Sequence, residues 1–125
     1  MELVIMSIEK FRRKDTRLPR NIPVIVDEFH MTGKHNGVGF SKLDRMAGHF
    51  PAIILASATP NYNDADRVYC VAHILDPLEN RGGYLNWVFK HCMTTPNPFA
   101  NTPDIDGFIA FDSPADWLVD KGYTA

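Results

Sequence analysis

No glycine precedes Gly33, which excludes a glycine-rich turn ahead of that residue. No apolar run approaches the ~18 residues that a membrane-spanning helix needs. The start, Met1-Glu2-Leu3-Val4-Ile5-Met6, has neither the basic opening nor the cleavage site of a signal peptide. Cysteine is scarce: Cys70 and Cys92 are too few for a disulfide framework. These absences lead us to expect a reduced, cytoplasmic protein with no membrane partner. Net charge is small as well. At −2 it supplies no global basic field, so any nucleic acid must be attracted by a local patch or by a partner.

What is present suits one soluble α/β domain. Apolar residues make up 45% of the 125 positions and charged residues 22%, an ordinary globular balance. Three apolar runs stand out: Leu3-Val4-Ile5-Met6, Pro23-Val24-Ile25-Val26 and Ala52-Ile53-Ile54-Leu55-Ala56. None alternates with polar residues, which predicts strands buried on both faces, as in a parallel sheet under helices. Between them, Ser7–Lys14 and Ser41–His49 each open on a capping serine and read as helices. Strand, helix, strand, helix, strand implies a layered sheet.

Further on, Asn63–Leu75 predicts a helix with Ala65, Val68, Tyr69, Ala72 and Leu75 inward. Arg81-Gly82-Gly83 predicts a turn, and Tyr84–Cys92 a short helix burying Leu85, Val88 and Phe89. Pro96, Pro98 and Pro103 crowd the stretch from Met93 to Gly107, which reads as loop. Ser113 and Pro114 predict a last short helix to Lys121.

The informative chemistry lies at the strand ends. The second run leads into Asp27-Glu28-Phe29-His30 and the third into Ser57-Ala58-Thr59-Pro60. In open α/β sheets ligands bind beyond the carboxyl ends of strands, so both tetrapeptides are expected at one crevice. An acidic pair at such a place is how nucleotide hydrolases hold magnesium and orient the attacking water. The plain alternative is an acidic pair capping a turn, beside ordinary turn chemistry ahead of a proline.

Val24-Ile25-Val26-Asp27-Glu28-Phe29-His30 resembles the acidic motif II of superfamily 2 helicases, a DEAD or DEAH tetrapeptide, with Phe29 departing from the usual Ala or Cys. Ser57-Ala58-Thr59-Pro60 resembles their motif III. Leu3 to Glu9, and Ala58-Thr59-Pro60-Asn61-Tyr62-Asn63-Asp64 through Ile74-Leu75-Asp76-Pro77, are similar to the flanking stretches in Swi/Snf-type translocases. The resemblance implies an incomplete RecA-like, P-loop NTPase-type three-layer α/β fold, with a short, mainly parallel sheet flanked by helices. It implies a partial helicase ATP-binding lobe over residues 1–92, from the strand before motif II through the helices after motif III. Residues 93–125 would follow as a proline-rich loop and short C-terminal helix.

By the same resemblance, ATP and Mg2+ are the cofactors. Asp27 is the metal ligand, through water, and Glu28 the general base. His30, Ser57 and Thr59 couple hydrolysis to movement on nucleic acid, expected to be DNA. Ser7 lies where the family touches a nucleic-acid strand. Arg12 and Arg13 belong to a basic run with Lys10, Lys14, Arg17 and Arg20, which is either a phosphate-contacting patch or a solvated helix end.

The family's ATPase also needs a Walker A loop, whose backbone amides and lysine hold the phosphates. Gly33-Lys34 is followed by His35, and Glu28 stands where that loop needs its first glycine. The isolated chain is therefore expected to hydrolyse ATP no faster than background. A separate chain carrying the loop and the second motor lobe is the expected partner. The alternatives are a non-catalytic module that binds or regulates a helicase or nucleic acid, and an inactive split-gene fragment.

Two lesser patterns remain. Cys70-x-x-His73 and His91-Cys92 offer soft metal ligands, but the second pair is adjacent, which suits zinc poorly. Tyr84, Trp87 and Phe89 read as base-stacking residues or, at helical spacing, as core.

Overall fold

The β-branched pair of triplets Val24–Val26 (β1) and Ile53–Leu55 (β2) forms a parallel two-stranded sheet, with Val24 opposite Ile53 and Val26 opposite Leu55. The computed structural model describes residues 5–19, 21–29, 33–57 and 64–123. Among them lie five helices and four strands, a small mixed α/β arrangement. Contacts gather into two compact units, Met1–Thr59 and Pro60–Ala125.

In the first unit, Ser7 caps α1 (Ile8–Arg12), its hydroxyl accepting from the Lys10 amide at 3.1 Å. The helix α2 (Val38–Ala47) is the crossover between β1 and β2. It starts at Gly37 rather than at Ser41, so the expected capping serine sits one turn inside the helix. Phe11 of α1 is buried, as are Phe40 and Leu43 of α2. The expected first strand is not found at Ile5 and Met6, and Leu3 and Val4 lie outside the described residues.

One expectation about this sheet is overturned. Ile25 is 70% exposed and Ile54 58% exposed, so one face of β1–β2 is open to solvent. The half-buried Val24, Val26, Ile53 and Leu55 mark the other face. Unbroken apolar runs anticipated cover on both sides, and these residues supply it on one.

The second unit is built around aromatic residues. The helix α3 (Ala65–Leu75) is capped by Asp64 and buries Ala65, Val68, Tyr69 and Ala72, with Leu75 half-buried at its end. In α4 (Tyr84–His91) the inward face differs from expectation: Trp87 and Val88 are buried, whereas Leu85 and Phe89 are 41% and 58% exposed. The indole is the larger apolar body, and it fixes which face turns in. Trp87 meets Tyr69, Phe108 and Trp117 edge to face at 5.5, 5.9 and 5.4 Å. The stretch expected as loop holds an antiparallel pair, β3 (Cys92–Thr95) and β4 (Asp104–Phe108), with an irregularity after Met93. Only its tip is loop: the β-branched threonines at 94 and 95 favour the ladder, and the prolines cluster between the strands. Finally α5 (Pro114–Asp120) starts from Ser113, whose hydroxyl accepts from the Asp116 amide, with proline at its first position.

Asn80 ties this unit together. It is 2% exposed, and its amide nitrogen lies 3.1 Å from Ala72 O, 2.9 Å from Asp76 O and 2.9 Å from the Tyr123 hydroxyl. Its carbonyl oxygen accepts the Trp87 indole N–H at 3.1 Å. The Tyr123 hydroxyl in turn donates to Asp76 Oδ2 at 3.2 Å.

Candidate functional site

The acidic segment begins where β1 stops. Asp27 is exposed and Glu28 half-buried, and Asp27 Oδ1 accepts the Glu28 amide at 2.9 Å, closing a tight turn. Glu28 sits at φ 53°, the left-handed region that a residue with a Cβ seldom occupies. Phe29 is buried beyond it and anchors the turn, its amide donating to Ala56 O at 3.0 Å. From the other side the Ala56 amide donates to Val26 O at 2.8 Å. The two segments therefore stay paired past the ends of the strands, and the ends of β1 and β2 lie side by side. Asp27-Glu28 follows one, and half-buried Ser57 follows the other. His30 and Thr59 lie outside the described residues.

Among the described residues no group of three or more His, Cys, Asp or Glu side chains converges as a metal site. Asp27 is exposed at this tip and Glu28 half-buried; their carboxylate oxygens are the donor type that Mg2+ takes, and Asp27 would hold such an ion.

The basic run occupies the surface after α1. Lys10, Arg12, Arg13, Lys14 and Arg17 are exposed, and Arg20 lies outside the described residues. What holds this run was not signalled by the sequence. Lys42 of α2 is buried, and its ammonium donates to the backbone oxygens of Phe11, Arg13 and Thr16 at 2.5, 2.8 and 2.7 Å. It also lies 4.9 Å from the centre of the Phe11 ring. Three hydrogens thus meet three carbonyls at the end of α1. Read on an amphipathic helix, Lys42 looks like a solvent position; its partners stand 26 to 31 residues away. Ser7, a candidate nucleic-acid contact, already uses its hydroxyl as a helix cap.

The remaining candidates sit in the second unit. Cys70 is buried against Asp66 Oδ1 at 3.7 Å, and burial, reinforced by Asp66, pushes its thiol pKa far up. Burial likewise raises Cys92, to about 11. His73 Nδ1 lies 3.1 Å from Asn80 O. Trp87 serves the core, while Phe89 is exposed.

A scan against protein-family models and searches of curated proteins and of solved structures found no match to this chain.

Proposed function

We propose that this chain is part of an ATP-driven motor lobe of the superfamily 2 type, built on an incomplete RecA-like fold. ATP hydrolysis would be coupled to movement on DNA once a Walker A-bearing partner completes the lobe. One observation carries the reading: β1 and β2 are parallel neighbours joined through α2, and the acidic pair and Ser57 leave their adjacent carboxyl ends. A crevice beyond such strand ends is where open α/β sheets bind ligands. In the proposed lobe Asp27 holds Mg2+ through water and Glu28 takes the proton of the attacking water. His30, Ser57 and Thr59 relay the state of the nucleotide, and Ser7, Arg12 and Arg13 face the nucleic acid.

The missing phosphate cradle sets the expected energetics. Without backbone amides and a lysine around the phosphates, most of the charge of MgATP goes uncompensated. Purified alone, the chain should release phosphate from MgATP at the background rate. Isolated from its native source with its bound partners, it should show DNA-stimulated release, and Glu28→Gln should lower that release about a hundredfold or more. A complex whose stimulated rate ignores Glu28→Gln would defeat the proposal.

The open Ile25–Ile54 face favours a second reading, a non-catalytic module that docks on an intact helicase. Recovery of a complete helicase bound to this chain, with rates unchanged by Glu28→Gln, selects it.

A further inference from the structure

The second unit contains a cavity of about 220 Å3 that the motor reading does not use. Two glycines form the turn between its lining residues Arg81 and Asn86. Gly82 and Gly83 adopt φ of 95° and 89°, values that side chains rarely tolerate. The Asn86 side-chain nitrogen then donates to Gly82 O at 2.6 Å, locking this turn onto the first turn of α4. The turn delivers Arg81 to the same cavity as Lys90 and His91 of α4. Asn86 and Lys90 lie four residues apart and so share a helix face.

Trp87 closes one wall, and its N–H is already committed to Asn80, so it offers surface and no donor. Glu79 is the one carboxylate in the lining, set against two permanent cations, Arg81 and Lys90. Among the described residues neither cation is engaged in an ion pair. His91 is held below its ordinary pKa by burial, with Lys90 and Lys121 acting in the same direction and Glu79 opposing.

We propose that this cavity binds a phosphate group, free or as a small monoester. Its lining brings together the guanidinium-bearing Arg81 of the turn, Lys90 of the helix and His91 of that helix's last turn. A tetrahedral oxyanion accepts from all three, whereas a planar carboxylate presents two oxygens in one plane. The inference stands apart from the motor proposal, since it uses none of that site's residues.

The test is a nuclear magnetic resonance titration of the full chain, following the His91 ring, with inorganic phosphate and with ribose 5-phosphate. Acetate and chloride at matched ionic strength are the controls. Saturable shifts in the millimolar range or below, with a raised His91 pKa, are expected. Arg81→Gln and Lys90→Gln, both at exposed positions, should each weaken binding by about tenfold, with amide spectra elsewhere unchanged. Tighter binding of ribose 5-phosphate identifies a monoester site, and equal binding identifies recognition of the phosphate group alone. Shifts reproduced by acetate or chloride, or unaffected by both substitutions, overturn the proposal.

Discussion

At Asn80 one buried amide answers groups from the end of α3, from the indole of α4 and from Tyr123. Replacing it with alanine leaves the Trp87 N–H without its partner in a dry place and takes one of two donors from the Ala72 carbonyl, which keeps the Asp76 amide. That should cost about 2–3 kcal/mol of stability, read as a lower midpoint in urea followed by circular dichroism. Lys42 makes a parallel case in the first unit. Lys42→Met keeps much of the stem volume but takes the shared donor from three carbonyls, of which Arg13 O keeps only the Thr16 amide. Amide exchange over residues 10–17 should accelerate by at least about tenfold, and Lys42→Arg should not restore protection, because a planar fork does not match a site shaped for a compact ammonium. Neither role was legible in the sequence. An asparagine after Glu79 reads as turn, and a lysine on an amphipathic helix reads as surface. Their partners are fixed only by the tertiary fold.

The elements themselves were far more legible, because their signals are local. Ser7 and Ser113 cap the helices they were expected to cap, and the runs at 24–26 and 53–55 are strands. Failure came where packing decides. Periodicity turned Leu85 and Phe89 of α4 inward, yet the bulk of Trp87 rotates the helix so that they face water. Prolines concealed the β3–β4 pair by suggesting loop throughout, although they cluster at its tip. Of the candidate site, the adjacency of the acidic segment and Ser57 could be anticipated from strand order. The exposure of Ile25 and Ile54 could not, since an apolar run says that cover is wanted and not that it is present. This face has a measurable consequence. The double substitution Ile25→Thr, Ile54→Thr should change stability by no more than ~0.5 kcal/mol per site. It should reduce concentration-dependent association in sedimentation velocity, because it removes the apolar face and keeps β-branched residues in the strands. Unchanged association would show that the face is not what brings chains together.

Across the whole molecule, pH acts through the second unit's buried titrating groups. His91 is held below its ordinary 6.5 mainly by burial. The folded state therefore disfavours its charged form, and the contribution present above pH 6.5 is lost as the pH falls below it. Cys92 is raised from 9.0 to about 11 by burial. Its folded form keeps a proton that the unfolded chain releases, so this contribution is present below pH 9 and is lost as the pH climbs toward 11. The urea midpoint of this unit should accordingly be highest between about pH 6.5 and 9 and decline on either side. His91→Gln should flatten the acid limb, and Cys92→Ser should make the alkaline one shallower without abolishing it, because buried Cys70 acts in the same direction. A midpoint that keeps rising above pH 9 would contradict the burial of Cys92.

Both tryptophans, Trp87 and Trp117, stand within the unit Pro60–Ala125, packed against one another. Indole emission is therefore a private reporter of that portion of the chain. A fluorescence melt would register Asn80 substitutions from within the unit that holds both indoles. A tryptophan introduced at exposed Pro51, beside the first unit's second strand, would give that region a voice of its own.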